Sequence, residues 1–174
     1  SLKSDLSISI IEPSEKSLYQ AAWTLVGAGA YDVGNTIKPM SKVMPSYVKW
    51  IKEHAEEFMP DSNSVKTNNN TYTYDYLVVC PGLKLNFDGV SGLKESLGKN
   101  NVCTNYSAEM ATYTWECLKN LDGGTFLFTE PPMPIKCAGA PQKIAYLAAD
   151  HLKKKGKLKD SHLEFLCAKP VIFG

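Results

Sequence analysis

The sequence predicts an α/β fold that combines parallel strands with a small β-meander. An apolar strand, an amphipathic helix and a second apolar strand follow one another between residues 125 and 167, which is typical of a βαβ unit. Three strand-like segments separated by polar turns lie between residues 47 and 80. With 174 residues and 44% hydrophobic content, the chain is large enough for one generous domain or two small ones.

Composition and charge argue against several classes of protein. All 19 basic side chains are lysines, and the 18 acidic ones leave a net charge of +1. Without arginine, which reads guanine and clamps phosphate with two bonds, we expect no dedicated nucleic-acid binding. No apolar run approaches the roughly 20 residues that span a bilayer. The cysteines lack a Cys-x-x-Cys pair and the histidines lack metal-ligand spacing, so we expect reduced thiols and no metal site.

The first part of the chain is predicted to hold short strands and one short helix. In chain order, the predicted elements are a strand over 5–11, a helix within 19–30, strands over 47–59, 65–67 and 71–80, and a loop over 83–101. The run Leu77-Val78-Val79-Cys80 is continuously apolar, which is typical of a strand covered on both faces. Pro81-Gly82 is expected to end that strand.

The second part is predicted to alternate helices and strands. In chain order, the predicted elements are a helix over 107–121, a strand over 125–129, a helix over 141–155 and a strand over 162–167. Ser107 is suited to cap the first helix, and Pro141 to the first position of the second. Gly156 is suited to end that second helix, whose last turn is rich in lysine.

Glu12 directly follows the first predicted strand and is a candidate cofactor contact. An acid at the tip of a strand, about 20 residues past a glycine-rich turn, binds the ribose hydroxyls of a dinucleotide in many α/β proteins. That turn would lie before residue 1. Gly27-Ala28-Gly29 is not such a turn, since Asp32 stands in the place of the third glycine. A solvated acid in a turn is the alternative interpretation of Glu12.

Cys137 has the most reactive surroundings of the five cysteines. It lies in a loop constrained by Pro and Gly just before the predicted helix, with Lys136 beside it and Lys143 in the first helical turn. Free amide groups, the positive end of the helix dipole and the lysines all favour a thiolate, which is the nucleophilic form of cysteine. Ala138-Gly139-Ala140 leaves room for a flat ligand or a second sulfur. A buried, inert cysteine is the alternative.

Several segments resemble the eukaryotic mitochondrial type of sulfide:quinone oxidoreductase, a flavoprotein of the disulfide-reductase superfamily. The segments that carry the resemblance are Glu12-Pro13-Ser14-Glu15-Lys16, Trp23-Thr24-Leu25-Val26-Gly27-Ala28-Gly29, Tyr74-Asp75-Tyr76-Leu77-Val78-Val79, Asn105-Tyr106-Ser107 and Pro134-Ile135-Lys136-Cys137-Ala138-Gly139-Ala140-Pro141-Gln142-Lys143. The resemblance implies an incomplete pair of Rossmann-like dinucleotide-binding domains. Residues 1–106 would belong to the FAD-binding domain and 107–174 would begin the second.

The same resemblance implies roles for individual residues. Glu12 would bind the FAD ribose, Gln20 would lie against the cofactor, and Ala55 would meet the adenine through its backbone. Pro81 and Gly82 would form part of the loop that passes the flavin, although a small residue is more usual at the position of Pro81. Cys137 matches one of the two redox cysteines of the family.

The implied chemistry is the oxidation of hydrogen sulfide. Sulfide attacks a sulfur bridge between the two redox cysteines, one cysteine keeps the sulfur as a persulfide, and two electrons pass through FAD to a membrane quinone. A small thiophilic acceptor then removes the sulfur. The resemblance also implies the matrix side of the mitochondrial inner membrane, with membrane contact through a C-terminal part.

Several parts of the family pattern are expected outside this sequence. The first strand and its glycine-rich turn would precede residue 1, and the second redox cysteine and the membrane-contacting part would follow Gly174. We therefore expect these 174 residues alone neither to hold FAD tightly nor to turn over. The alternatives are a truncated, non-catalytic paralogue that only binds a partner or dimerises, and a related flavin NADH:quinone reductase, which would want a glycine-rich loop where Pro131-Pro132-Met133-Pro134 stands.

Overall fold

The computed structural model describes residues 6–172 and contains nine strands and five α-helices in that part of the chain. The strands are β1 (Ser9–Ile11), β2 (Lys16–Leu18), β3 (Ile37–Pro39), β4 (Lys49–Ile51), β5 (Ala55–Met59), β6 (Ser64–Thr67), β7 (Thr71–Thr73), β8 (Gly124–Glu130) and β9 (Ser161–Cys167). The helices are α1 (Trp23–Gly27), α2 (Met40–Val43), α3 (Leu93–Ser96), α4 (Ala108–Asn120) and α5 (Ala140–Lys154). Asp5, where the first predicted strand begins, lies outside the described residues.

The described residues form two compact units. Residues 6–18 and 37–82 make up the first unit, and residues 19–36 and 83–172 make up the second. The first unit therefore holds β1 to β7, whereas the second holds α1, α4, α5 and the long strands β8 and β9. The division at residue 106 into two dinucleotide-binding halves stays a prediction.

The first unit consists of three small sheets. β1 and β4 pair in parallel, with Ile10 beside Trp50, and β2 and β3 pair antiparallel. β5, β6 and β7 form an antiparallel three-stranded sheet, so the predicted meander is confirmed. The predicted strand over 47–59 is divided in two, because β4 and β5 belong to different sheets and residues 52–54 connect them.

The prediction for residues 74–80 is wrong. The last meander strand ends at Thr73. The run Leu77-Val78-Val79-Cys80 is exposed and without regular structure, and Val78 is 84% exposed to solvent. A strand covered on both faces needs a hydrogen-bonded neighbour. Within residues 6–172 no strand pairs with this run, so its backbone has no ladder to join.

The second unit is built around a βαβ arrangement. β8 and β9 pair in parallel over seven residues, from Gly124 beside Ser161 to Glu130 beside Cys167, and α5 connects them. The predicted unit is therefore confirmed. α5 begins one residue before the predicted Pro141, and Gly156 ends it with a φ of +72° and a hydrogen bond from its N–H to the Lys153 carbonyl.

Two apolar clusters hold the second unit together. In the first cluster, Leu118 of α4 and the α5 residues Ala148 and Leu152 pack against Phe126 of β8, and Leu152 is fully buried. α1 and α4 share a second cluster of Trp23, Val26 and Ala111. Apolar residues three and four apart on α4 and on α5 share one helix face and form these contacts. Burial of each large side chain stabilises the unit by about 1.5–3 kcal/mol.

Candidate active-site loop at Cys137

Cys137 lies in the loop that leaves β8 and enters α5. Its thiol is free and exposed, and its carbonyl oxygen accepts a hydrogen bond of 2.8 Å from the N–H of Ala140, the first residue of the helix. The side chain is therefore open to solvent three residues before a helix of 15 residues. The first turn of that helix contains no acid, so nothing in this turn offsets the positive end of its dipole.

The backbone of Cys137 is strained. Its φ is +56°, in the left-handed region that side chains rarely adopt. The other non-glycine residues with positive φ among residues 6–172 are Asn63, Asn100 and Asn101, and asparagine tolerates this conformation well. Strain of this kind costs about 1–3 kcal/mol and persists where the surroundings enforce it, often at functional sites. The cysteine is thus the unusual member of the set.

The hydroxyl of Tyr106, a residue that lies two positions before α4, contacts the loop that contains Cys137. It donates a hydrogen bond of 2.9 Å to the Lys136 carbonyl and lies 3.4 Å from the Cys137 carbonyl. Burial, followed by the charges of Cys137 and Glu130, raises the pKa of Tyr106 to about 12. The hydroxyl therefore stays protonated at physiological pH and remains a donor. Sequence analysis placed Tyr106 only within a family motif and did not find this contact.

A buried ion pair fixes the start of the same loop. Glu130 is the last residue of β8, its side chain is fully buried, and its Oε1 lies 2.6 Å from Lys169 Nζ. The parallel register brings the pair together, because Glu130 stands beside Cys167 and Lys169 follows two residues later. The backbone adds a 3.2 Å hydrogen bond from Ala168 N–H to the Glu130 carbonyl. The charge pair is invisible in the sequence, since neither residue lies near the other without the strand register.

Gln142 ties the first turn of α5 to the segment after β9. Its side chain is buried, and its Nε2 donates a hydrogen bond of 2.8 Å to the Ile172 carbonyl. Pro141 beside it is also buried. Gly139, by contrast, faces open space, because a Cβ there would meet no atom within 4 Å. The helix start is therefore anchored on one side and accessible on the other.

Glu12 and Ala55 lie at one edge of the first unit. Glu12 directly follows β1, and Ala55 lies four residues after the end of β4. β1 and β4 are parallel, and the carboxyl ends of parallel strands lie at the same edge of a sheet. Glu12 is pinned through its backbone: its N–H donates to the Ile51 carbonyl at 3.0 Å, and Trp50 Nε1 donates to its carbonyl at 2.8 Å. Its Oε1 accepts the Ser14 N–H at 2.6 Å.

Glu53, the neighbouring acid at this edge, has a structural role. Its carboxylate accepts hydrogen bonds from the side chains of Thr67, Asn70 and Tyr72. The Thr67 bond is the main reason that the pKa of Glu53 lies below its ordinary value. Because these bonds occupy the Glu53 carboxylate, Glu12 keeps more capacity than Glu53 for a ligand hydroxyl.

The remaining predicted contacts lie in two different units. Pro81 and Gly82 belong to the first unit and are exposed; Gly82 has a φ of +78°, which favours glycine. Gln20 is half-buried at the start of a short 3-10 turn in the second unit, which also contains Cys137. The roles of Glu12, Gln20, Ala55, Pro81, Gly82 and Cys137 stay predictions.

The described residues, 6–172, hold neither a metal-ligand cluster nor a membrane-spanning helix. No group of three or more His, Cys, Asp or Glu side chains in this range is arranged to hold a metal ion. None of the helices in this range is both long and apolar enough to cross a bilayer.

Comparison with known proteins places the chain beside sulfide oxidoreductases. No family model matches it. It is 38% identical over 169 residues to the mitochondrial sulfide:quinone oxidoreductase of Mus musculus and 43% identical over 168 residues to that of Dictyostelium discoideum. These alignments cover 97% and 95% of this chain. The chain spans 38% and 37% of the lengths of these two curated relatives.

A solved structure agrees with the sequence comparisons. The sulfide:quinone oxidoreductase of Aquifex aeolicus superposes with a TM-score of 0.76 at 27% identity, over 97% of this chain and 39% of that one. The predicted α/β class, with part of a Rossmann-like architecture, is thereby confirmed. The resemblance found in the sequence is confirmed as well: nearly the whole chain is similar to a segment of the sulfide:quinone oxidoreductases.

Proposed function

We propose that these residues form part of an FAD-dependent, mitochondrial sulfide:quinone oxidoreductase in which Cys137 is one of two redox cysteines. The observation that carries the proposal is the exposed thiol of Cys137 on a strained, left-handed residue before a helix N-terminus. The similarity to proteins named sulfide:quinone oxidoreductase supplies the substrate pair, and the names of the mouse and Dictyostelium relatives supply the compartment.

The sulfur chemistry needs a good leaving group and an accessible sulfur. In the oxidised protein, Cys137 shares a disulfide with a second cysteine; hydrosulfide attacks one sulfur, a persulfide forms on that cysteine, and the other cysteine leaves as a thiolate. The positive end of the α5 dipole, with Lys136 and Lys143 nearby in sequence, stabilises an anion in this loop. The persulfide sulfur then leaves on a small thiophilic acceptor. Return of the cysteine pair to its oxidised, bridged state releases two electrons, which FAD, when bound, would accept and deliver to a quinone.

The residues of the first unit suit the adenosine end of FAD. Glu12 offers its carboxylate as an acceptor for ribose hydroxyls, and the exposed residue Ala55 follows β4, the strand paired with β1. The pyrophosphate needs amide groups at a glycine-rich turn between a strand and a helix. Gly27-Ala28-Gly29 lies at the end of α1, and residues 6–172 contain no glycine-rich strand-to-helix turn.

The 174 residues alone are therefore expected to bind FAD weakly. We predict that the purified chain lacks the visible flavin absorption band and gains no stoichiometric flavin on reconstitution. A yellow protein with one flavin per chain would contradict this expectation.

The proposed function is tested by turnover of the full-length protein. Sulfide-dependent reduction of a soluble quinone analogue is measured for the wild type and for Cys137→Ser, with Cys167→Ser as the matched control. Cys167 is half-buried at the end of β9, and its sulfur reaches only the Val171 carbonyl at 4.0 Å. We expect the Cys137 variant to lose at least about a hundredfold in kcat and the control to retain it. Full turnover of Cys137→Ser would reject the proposal.

A further inference from the structure

The side chain of Tyr106 contacts both the peptide group before Cys137 and the peptide group after it. Tyr106 Oη lies 2.9 Å from the Lys136 carbonyl oxygen and 3.4 Å from the Cys137 carbonyl oxygen. Two successive carbonyl groups therefore point toward the same hydroxyl. In an extended segment successive carbonyl groups point to opposite sides of the chain, so one hydroxyl does not reach both; at Cys137, whose φ is +56°, both carbonyls lie within reach of Tyr106 Oη.

Tyr106 is itself held in place. It immediately precedes Ser107, the residue before α4, and its N–H donates to Thr104 Oγ1 at 3.3 Å. α4 is anchored through Ala111, which is fully buried against α1. The tyrosine is partly buried, and its raised pKa, about 12, keeps the hydroxyl a donor. The hydroxyl thus transmits the position of α4 to the loop before α5.

A second hydrogen bond restrains the loop, but only on the C-terminal side of Cys137. Ala140 N–H donates to the Cys137 carbonyl at 2.8 Å, which orients the peptide after the cysteine. It leaves the peptide before the cysteine free, and that peptide, the Lys136 carbonyl, is the one that Tyr106 binds at the shorter distance. The φ and ψ angles of Cys137 together set the orientation of one peptide relative to the other, so the two contacts jointly restrict these angles.

We propose that Tyr106 is the positioning residue of Cys137: its hydroxyl holds the two flanking carbonyls so that the thiol is presented to solvent in the left-handed conformation. The importance of this role for turnover rests on the proposed function of Cys137, whereas its effect on the thiol does not. In Tyr106→Phe the ring remains and the donor is lost. The loop then relaxes toward ordinary backbone angles, and the thiol leaves its exposed position before the helix N-terminus.

The test compares thiol reactivity in the full-length protein. The protein is first reduced and the reductant is removed, so that Cys137 is a free thiol. The second-order rate of Cys137 alkylation by iodoacetamide is then followed by peptide mass spectrometry, with N-acetylcysteine in the same solution as the reference. The variants are Tyr106→Phe and the matched control Tyr146→Phe, whose ring is 63% exposed on α5. We expect a loss of about fivefold for Tyr106→Phe and less than twofold for Tyr146→Phe.

Alkylation of Cys117, measured in the same experiment, shows whether the substitution opens the second unit as a whole. Cys117 is buried in α4, so its alkylation reports opening of the unit. The proposal requires that Cys117 stays protected in Tyr106→Phe while Cys137 slows. An unchanged Cys137 rate overturns the proposal, and so does a rise in Cys117 labelling without a fall at Cys137, which would give Tyr106 a purely structural role.

Turnover separates this proposal from the one on which it rests. In Tyr106→Phe we expect kcat with sulfide to fall about fivefold while KM for the quinone analogue is unchanged. If Cys137→Ser retains activity, the function proposed for Cys137 fails, yet the alkylation result still decides whether Tyr106 positions the thiol. If Cys137→Ser is inactive and Tyr106→Phe leaves both kcat and alkylation unchanged, the positioning role alone is rejected.

Discussion

Removal of Lys169 is predicted to destabilise the second unit strongly. The ammonium group lies 2.6 Å from Glu130 Oε1, the glutamate side chain has no exposed surface, and that of Lys169 is 21% exposed. Lys169→Met keeps most of the aliphatic chain and leaves a buried carboxylate without its partner. Breaking a buried pair in this way costs about 3–5 kcal/mol. Because Lys169 retains some exposure, we expect the lower end, about 3 kcal/mol.

Urea unfolding followed by tryptophan fluorescence measures this loss. The matched control is Lys154→Met, which breaks an ion pair of the same 2.6 Å length with Asp150, but with side chains 75% and 51% exposed. An exposed pair of this kind contributes at most about 0.5 kcal/mol.

The double variant removes the buried charge as well. Glu130→Leu combined with Lys169→Met is expected to recover most of the loss, because an apolar pair replaces an ion pair at little cost when it fills the same space. A loss below about 1 kcal/mol for Lys169→Met, equal to the surface control, would refute the reasoning that Glu130 is a desolvated charge.

Two further predictions concern the loop and the helix that follows it. Cys137→Gly is expected to raise the free energy of unfolding by about 1 kcal/mol relative to Cys137→Ala, because glycine adopts a φ of +56° without strain; equal urea midpoints would contradict this. Burial, followed by the charges of Lys155 and Lys154, holds the pKa of His151 below its ordinary 6.5. The unfolded chain therefore takes up the proton first, so stability falls as pH decreases below about 6.5, and His151→Gln is expected to flatten urea midpoints between about pH 8 and about pH 5. An unaltered pH slope in that variant would count against this assignment.

The elements of the second unit could be predicted because their signals are local. α4 and α5 have apolar residues at helical spacing, Gly156 ends α5, and the connection between β8 and β9 is long enough for the crossover helix that a parallel pair needs. The run Leu77-Val78-Val79-Cys80 was wrongly predicted as a buried strand, because an apolar run does not show which other segment would pair with it and cover it. Within residues 6–172 no strand pairs with this run.

The candidate site could be predicted in part. Its chemistry was readable from Cys137, its proline-rich loop and the helix after it, and Glu12 lies at a strand tip as predicted. The left-handed backbone of Cys137, its contact with Tyr106 and the pairing of Glu130 with Lys169 were not readable. They depend on strand register and on the approach of distant segments, which no local pattern encodes.

The most direct test of the role of Cys137 is the reductive half-reaction. Full-length protein containing FAD is mixed anaerobically with sulfide, without quinone, and the visible flavin absorption is followed in the wild type and in Cys137→Ser. The account predicts rapid bleaching in the wild type and loss of that phase in the variant, with FAD content unchanged. Bleaching of the variant at the wild-type rate would contradict the claim that electrons reach the flavin through the sulfur of Cys137.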